Sequence, residues 1–274
     1  MSTTAASARD LTRPPQGPNV AIAGKAANPA VEWLRSWWML IRWNAASSKM
    51  ILPLTVIVQV MLSVGIVIGF GFLAPVEYPE VALRLATGAP TILLLTTGLV
   101  VVPQVVGAMK QEGSYDWFRS LPAPRSAFLF ADLTIWTLIS LPGIALAIVV
   151  AIWQYDLNIT PTPWSPLIAV LVAATAAVVG YGMATALPAR VAQLLTQVLV
   201  FAILLFSPIT VESAVLPDWL AAAHRVLPME PMADLMRAHL APEVYSVSAG
   251  QLAVLAVWGI GSTVLTLALM SRRS

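Results

Sequence analysis

Groups able to cut, transfer or ligate are scarce in this chain. It has two histidines, His224 and His239, and no cysteine, which removes thiolate metal sites, disulfides and a cysteine nucleophile. It contains neither a P-loop phosphate-binding pattern nor an HExxH pair. Both histidines lie outside the long apolar runs, so the Ser and His pairing of an intramembrane protease is not available. No apolar run carries a carboxylate near its middle, where a proton relay would need one. We therefore expect no catalytic residue, no metal and no cofactor on this chain, and energy for any uphill work must come from elsewhere. What remains inside the apolar runs is amide chemistry: Gln59, Gln104, Gln193 and Gln197, the last two spaced to share a helix face. Such amides either hold helices together or contact a polar solute along a pathway. Asp132, at the start of a run, is expected to pair with Arg125 or Lys110.

Two segments exceed what a string of membrane helices needs. The first is KQEGSYDWFRSLPAPRSAF, from Lys110 to Phe128. Glu112 and Gly113 break the preceding helix, Ser114 can cap a short helix over 115–121, and Pro122 and Pro124 stop it. That helix would carry Tyr115, Asp116, Trp117, Phe118, Arg119 and Leu121, with a bulky apolar surface flanked by charge. Its rings serve either a docking surface or the lipid interface. The second segment, 207–244, is too polar to span and too apolar to be a free loop. Pro217 and Asp218 can start a helix bearing Trp219, Leu227 and Pro228 interrupt it, and Glu230 and Pro231 start a second one bearing Arg237. It reads as a helical hairpin dipping into the outer leaflet or as a small folded cap, and a hairpin at that depth can close the outer end of a pathway.

The elements that position these segments follow from composition. Of 274 residues, 58% are hydrophobic and only 10% charged, too few charges to solvate a soluble domain of this size. The chain is read as an all-α integral membrane protein, with no nucleic-acid partner implied by its net charge of +2. Crossing about 30 Å of hydrocarbon takes roughly 20 helical residues, and six runs qualify, with helices expected at about 51–73, 86–108, 130–153, 166–187, 191–209 and 249–270. Residues 1–29 read as a flexible cytoplasmic tail with no cleavable signal, 30–49 as an interfacial amphipathic helix, and 50–274 as the six-span domain. In the interfacial helix Leu34, Trp37, Trp38, Ile41 and Ala45 are expected to share the apolar face, as a mechanical element or as a mere anchoring belt. Gly65, Gly69, Gly71, Gly259 and Gly261 read as helix-packing positions, and Pro53, Pro90, Pro103 and Pro142 as kinks. Lys and Arg are retained in the cytoplasm during insertion. With both termini inside, twelve of the fifteen Lys and Arg fall inside, and only Arg84, Arg225 and Arg237 fall outside.

The order of these features resembles the permease subunits of ABC type-2 exporters. Glu112-Gly113-Ser114 through Arg119-Ser120-Leu121-Pro122 is similar to that family's coupling-helix segment before its third span. Leu216-Pro217-Asp218-Trp219-Leu220, then Leu227-Pro228-Met229-Glu230-Pro231-Met232 and Arg237, is similar to its Pro-containing turn and helix before the last span. The family commonly has Asn-Pro at that turn, where this chain has Leu227-Pro228. The resemblance implies a bacterial inner-membrane half-transporter: two permeases, identical or paralogous, standing on two nucleotide-binding ATPase subunits that hold ATP and Mg. Membrane lipid is the other partner, and drugs, lipids or glycans are the cargo classes. By the spans alone, a secondary transporter, a channel or a non-transporting scaffold also fits; a neighbouring gene for a P-loop ATPase separates these from an ABC permease.

The charge distribution predicts that single cysteines introduced at Ser120 and Ser246 are labelled from opposite sides of the membrane. An impermeant thiol reagent that reaches position 120 in intact cells would overturn that orientation.

Overall fold

A computed structural model describes residues 28–47, 49–73, 78–120, 123–207, 209 and 216–271. The expected tail (all but its last two residues), Leu121 and Pro122 of the 112–122 segment, most of 208–215 and the basic pair Arg272 and Arg273 lie outside the described residues. Among the described residues eleven α-helices follow in order: α1 Pro29–Ser47, α2 Ile51–Leu73, α3 Pro79–Thr96, α4 Val102–Gln111, α5 Ser114–Ser120, α6 Arg125–Tyr155, α7 Ser165–Ala186, α8 Ala189–Phe206, α9 Asp218–Val226, α10 Met229–Leu240 and α11 Ala249–Ser271. A π turn over Thr97–Val101 joins α3 to α4, so that Pro79–Gln111 is one continuous rod. There is no strand among the described residues.

Among the described residues five helical runs are long and apolar enough to cross a membrane: Leu52–Phe72, Pro79–Gln111, Arg125–Tyr155, Ser165–Ala186 and Ala249–Ser271. The sixth expected run is shorter than its window. Its apolar stretch is Ala189–Leu204, and α8 is bounded by Pro188 and by the extended backbone of Ser207. At 1.5 Å per residue α8 is about 27 Å long, just under the hydrocarbon thickness. The second rod starts at Pro79, seven residues before the expected window, because Pro in the first turn forfeits no helical hydrogen bond.

The Pro79–Gln111 rod is the centre of the molecule. Ile92, Leu93, Leu94 and Leu95 are buried, and the main apolar cluster gathers them with residues of α7 and α10. α2 and α11 lie at the periphery, with exposed faces such as Leu54, Val58 and Met61 on one and Val257, Ile260 and Val264 on the other. In the π turn the Val102 N–H reaches back to the Thr97 carbonyl, a geometry that inserts one residue into the helix. Gln59 of α2 closes on this turn, its Nε2 donating to Thr97 Oγ1 at 2.5 Å, while Thr97 Oγ1 donates to the Leu93 carbonyl at 2.8 Å.

Glycines set the tightest contact, though not the expected ones. Gly65, Gly69 and Gly261 face open space within this chain, Gly71 lies against the Tyr155 ring and Gly259 against Thr175. The close approach is between the π turn and α7: a Cβ on Gly98 would sit 2.5 Å from the Ala176 backbone, and one on Gly180 would collide with the Gly98 carbonyl oxygen. Only residues without side chains let two backbones meet at that distance.

Gly98→Ala and Gly180→Ala are accordingly expected to destabilise the purified protein by about 1–3 kcal/mol through overpacking, while Gly65→Ala has little effect. Thermal unfolding in nanodiscs compares the three; equal midpoints for all would remove this contact as a packing constraint.

Candidate functional site

The segment between α4 and α6 is built from a helix end. The Glu112 N–H caps α4 by bonding the Ala108 carbonyl, and Gly113 takes φ +76°, a left-handed conformation that suits glycine and turns the chain off the helix axis. Ser114 does not cap α5 as expected. It is the first helical residue, and its hydroxyl donates to the Met109 carbonyl at 3.2 Å, tying α5 back to α4.

The rings on α5 have three different fates. Tyr115 is buried with Val102, Val106, Leu129, Leu133 and Tyr181. Phe118 is half-buried, its ring centroid 5.1 Å from Trp43 of α1 and 4.9 Å from Phe128 of α6. Trp117 touches Trp43 at 5.9 Å yet remains 50% exposed. The free apolar surface is therefore narrower than three rings: Trp117 is outward, beside exposed Glu112, Gly113 and Asp116. Arg119 lies in α5 by its backbone.

Helix α1 packs along α6 and supplies one wall of this ring cluster. Trp33 Nε1 donates to Ser126 Oγ at 2.9 Å and its ring meets Phe130 edge-on. Asn44 Nδ2 donates to Asp132 Oδ1 at 3.3 Å. The face turned inward carries Trp33, Ser36, Trp37, Leu40, Ile41 and Asn44, whereas Leu34, Trp38 and Ala45 of the expected apolar face are exposed. The expected stripe is split between two sides: Trp37 and Ile41 turn inward, and Leu34, Trp38 and Ala45 stay outside. Asp132 thus meets Asn44, and Lys110, one of its expected partners, points its ammonium at the carbonyls of Ala184, Thr185 and Leu187, at 2.6, 3.1 and 3.3 Å. Trp43, Asn44 and Phe128 are the contributors that sequence reasoning passed over, and Lys110 is one to which it gave a different partner. The only available signal was an indole and an amide just before the first span.

The second segment forms a helical hairpin, α9 and α10, turning at Leu227 and Pro228. Pro217 precedes α9 in extended backbone, and Trp219 is 72% exposed. Trp258 Nε1 donates to the Val226 carbonyl at 2.7 Å. Trp258 lies nine residues into α11, about 14 Å along that helix from its Ala249 end, and the hairpin tip meets α11 at that level. Beneath the tip is a cavity of about 320 Å³ whose walls include Leu99, Met183, Leu199, Pro228, Ser262 and Leu265.

Arg237 anchors the far arm of the hairpin. It is 2% exposed, pairs with Asp234 at 3.0 Å, donates to the Ile209 carbonyl beyond α8, and lies 5.9 Å from the Tyr245 ring centroid. Asp234 in turn accepts from Gln251 Nε2 of α11 at 2.6 Å. The carbonyl of His239 accepts from the Thr162 N–H at 2.8 Å and Ser165 Oγ at 2.7 Å, at the start of α7.

The four glutamines part company. Gln59 is buried on Thr97, and Gln104 Nε2 donates to Thr196 Oγ1 at 3.4 Å, joining α4 to α8. Gln193 and Gln197 are exposed along α8 next to Arg190, among Leu194 and Val198.

Replacing Arg237 by Met leaves Asp234 and the Ile209 carbonyl short of a donor. Hydrogen bonds to charged groups contribute about 1.5–3 kcal/mol each, so hydrogen exchange across 218–240 is expected to accelerate at least tenfold, with Arg237→Lys intermediate. Unchanged protection in the Met variant would demote the arginine to a bystander.

The sequence model of the ABC-2 type transporter family matches residues 33–240, from the body of α1 to the end of α10. No curated protein matches the chain. A bundle of long apolar helices, a short helix seated between the ends of α4 and α6 and a helical hairpin packed beside α11 all fall within that match or directly against it. The chain is a multi-pass membrane protein of the ABC-2 type transporter family, a permease subunit of the kind that works with a separate ATPase subunit.

Proposed function

We propose that this permease exports an amphiphilic, drug-like or lipid-like molecule from the bacterial cytoplasm. In this reading α8 is the sixth span and both termini are cytoplasmic. Two such permeases, identical or paralogous, stand on two ATPase subunits that bind ATP and Mg. The observation that carries the reading is the seat of α5. A seven-residue helix is fastened by Tyr115 into the bundle and by Phe118 into a ring cluster, and presents Trp117 outward. A helix held that firmly at its root moves as a body with the spans, which is what a coupling element requires. Glu112 and Gly113 set the angle at which it leaves α4.

The hairpin acts as the outer gate. Pro217 and Pro228 interrupt its helices, the tip is pinned by Trp258, and Trp219 faces outward, where a cargo leaving the membrane would pass. The cavity below the tip is apolar apart from Ser262 and so suits an alkyl or aryl moiety better than a glycan. On α8, Gln193 and Gln197 face away from this chain's own core and supply a polar track for the cargo's head where a second permease closes the pathway.

The geometry separates two substitutions that composition treats alike. Trp117→Ala removes an exposed anchor and leaves the seat intact. Truncating such an anchor costs about 2 kcal/mol, roughly a thirtyfold loss of affinity, read as loss of ATPase co-purification with the spans still inserted. Phe118→Ala loosens the seat, and its effect falls first on the coupling of hydrolysis to transport. ATPase association at parental strength in Trp117→Ala, together with unaltered coupling in Phe118→Ala, would overturn the assignment of α5.

A further inference from the structure

The ammonium of Lys110 occupies a junction that the coupling reading does not use. On one side it faces the carbonyls of Ala184, Thr185 and Leu187, at 2.6, 3.1 and 3.3 Å. On the other it lies 5.6 Å from the ring centroid of Tyr115, the second residue of α5. The three carbonyls belong to the last turn of α7 and to the corner that follows it. Helix ends leave such carbonyls without partners, and this corner is an extreme case. The next residue is Pro188, which has no N–H to return to Ala184, four residues earlier. Leu187 has already left the helix, with φ −104° and ψ 152°. The negative end of the α7 dipole and three acceptors therefore converge at a point that the backbone of α7 itself does not serve and that Lys110 reaches.

Lys110 reaches that point because it stands in the final turn of α4, before Glu112 and Gly113 deflect the chain into α5. The elements around it are packed together independently. Tyr115 shares an apolar cluster with Tyr181 and Ala184 of α7, and Gly107 of α4 comes within 3.7 Å (for an added Cβ) of the Ala189 carbonyl at the start of α8. Beyond the corner, α8 carries Gln193 and Gln197 and receives Gln104 at Thr196.

We infer that Lys110 is a positioning residue that fastens α5 and the end of α4 to the α7–α8 corner, so that displacement of α5 moves the inner end of α8 with it. The inference rests on α5 being the coupling helix. It adds the route by which that movement reaches the helix bearing the polar track. A cation on a flexible stem fits the role, since it can follow three acceptors through a small rotation without releasing them.

The chain's lack of cysteine permits a direct test. Spin labels at Ser120→Cys on α5 and Arg190→Cys on α8 are compared in nanodiscs by pulsed electron paramagnetic resonance. The samples are the permease alone and the full complex with its ATPase, without nucleotide and trapped with ATP and vanadate. With Lys110 present, the distance between the labels is expected to be narrowly distributed and the same in all states, because the two sites travel together. In Lys110→Met, which keeps the stem and removes the charge, the distribution broadens in the permease alone and becomes nucleotide-dependent in the complex. Lys110→Arg restores the parental behaviour. A narrow, nucleotide-independent distance in Lys110→Met overturns the inference, as does a parental distance that already changes with nucleotide. If the Met variant fails to insert, Lys110→Gln replaces it under the same criteria. An α5 that binds no ATPase in any variant removes the coupling reading instead, while the width measured in the permease alone still decides whether the fastening exists.

Discussion

A backbone carbonyl left open at a helix end needs a donor, and several contacts between helices in this bundle are made by meeting that need. At three helix ends and at one carbonyl within a helix, the donor is a side chain from elsewhere. Lys110 serves the end of α7, Arg237 serves Ile209 beyond α8, Trp258 serves the last residue of α9, and the Tyr155 hydroxyl serves Val67 within α2. The start of α7 is tied to the end of α10 by the converse arrangement, in which Thr162 and Ser165 donate to the His239 carbonyl. These donors are long or amphipathic side chains that carry a polar tip through apolar packing. Satisfying the helix ends therefore also cross-links the elements that the mechanism needs to keep in register.

Packing density follows a second logic. Lipid tails are as apolar as leucine, so helices in a membrane associate through close fit and internal hydrogen bonds. The Pro79–Gln111 rod meets both requirements in the π turn, where Gly98 admits the backbone of α7 and Thr97 receives Gln59. Pro103, one position past the start of α4, has no N–H to return to the carbonyl of Leu99, which favours an irregular turn at that level. The rod's two halves share α7 and α8 but differ in their other neighbours. α3 also packs against α2, α6 and α10, while α4 also packs against α5. The half that carries α5 is also the half that Lys110 and Gln104 join to α7 and α8.

Around the short helix the cohesive force is aromatic. Trp43, Trp117, Phe118 and Phe128 meet edge-on or tilted at 4.9 to 5.9 Å between centroids, arrangements that stabilise beyond area burial alone. With Trp33 on Ser126 and Asn44 on Asp132, α1 becomes a strut laid along α6 with its end against α5. An element whose composition allows a plain membrane anchor is thereby joined to the segment expected to meet the ATPase.

By itself the sequence determined the helical, multi-pass class, because length and hydropathy must match the bilayer whatever the neighbours are, and the order of its two Gly- and Pro-marked segments carried the resemblance to the transporter family. It also marked Glu112 and Gly113, Pro217 and Pro228 as points of interruption, since glycine and proline act through their own backbones. It did not determine which way the helices face. A helix apolar all round carries no periodic signal of its inward side, so Gly98 and Gly180 were indistinguishable from Gly65 and Gly69 until α7 lay against the π turn. α1 showed a stripe, but packing splits it: Trp37 and Ile41 turn inward with Ser36 and Asn44, while Leu34, Trp38 and Ala45 stay exposed. Ser114 had the composition of a cap and became a tether, and Asp132 and Lys110 found partners other than each other's neighbourhood in sequence suggested. Each of these outcomes joins residues far apart in the chain. Only the tertiary structure decides them, because the need of an open carbonyl is local while the donor that meets it is whichever long side chain the packing brings within reach.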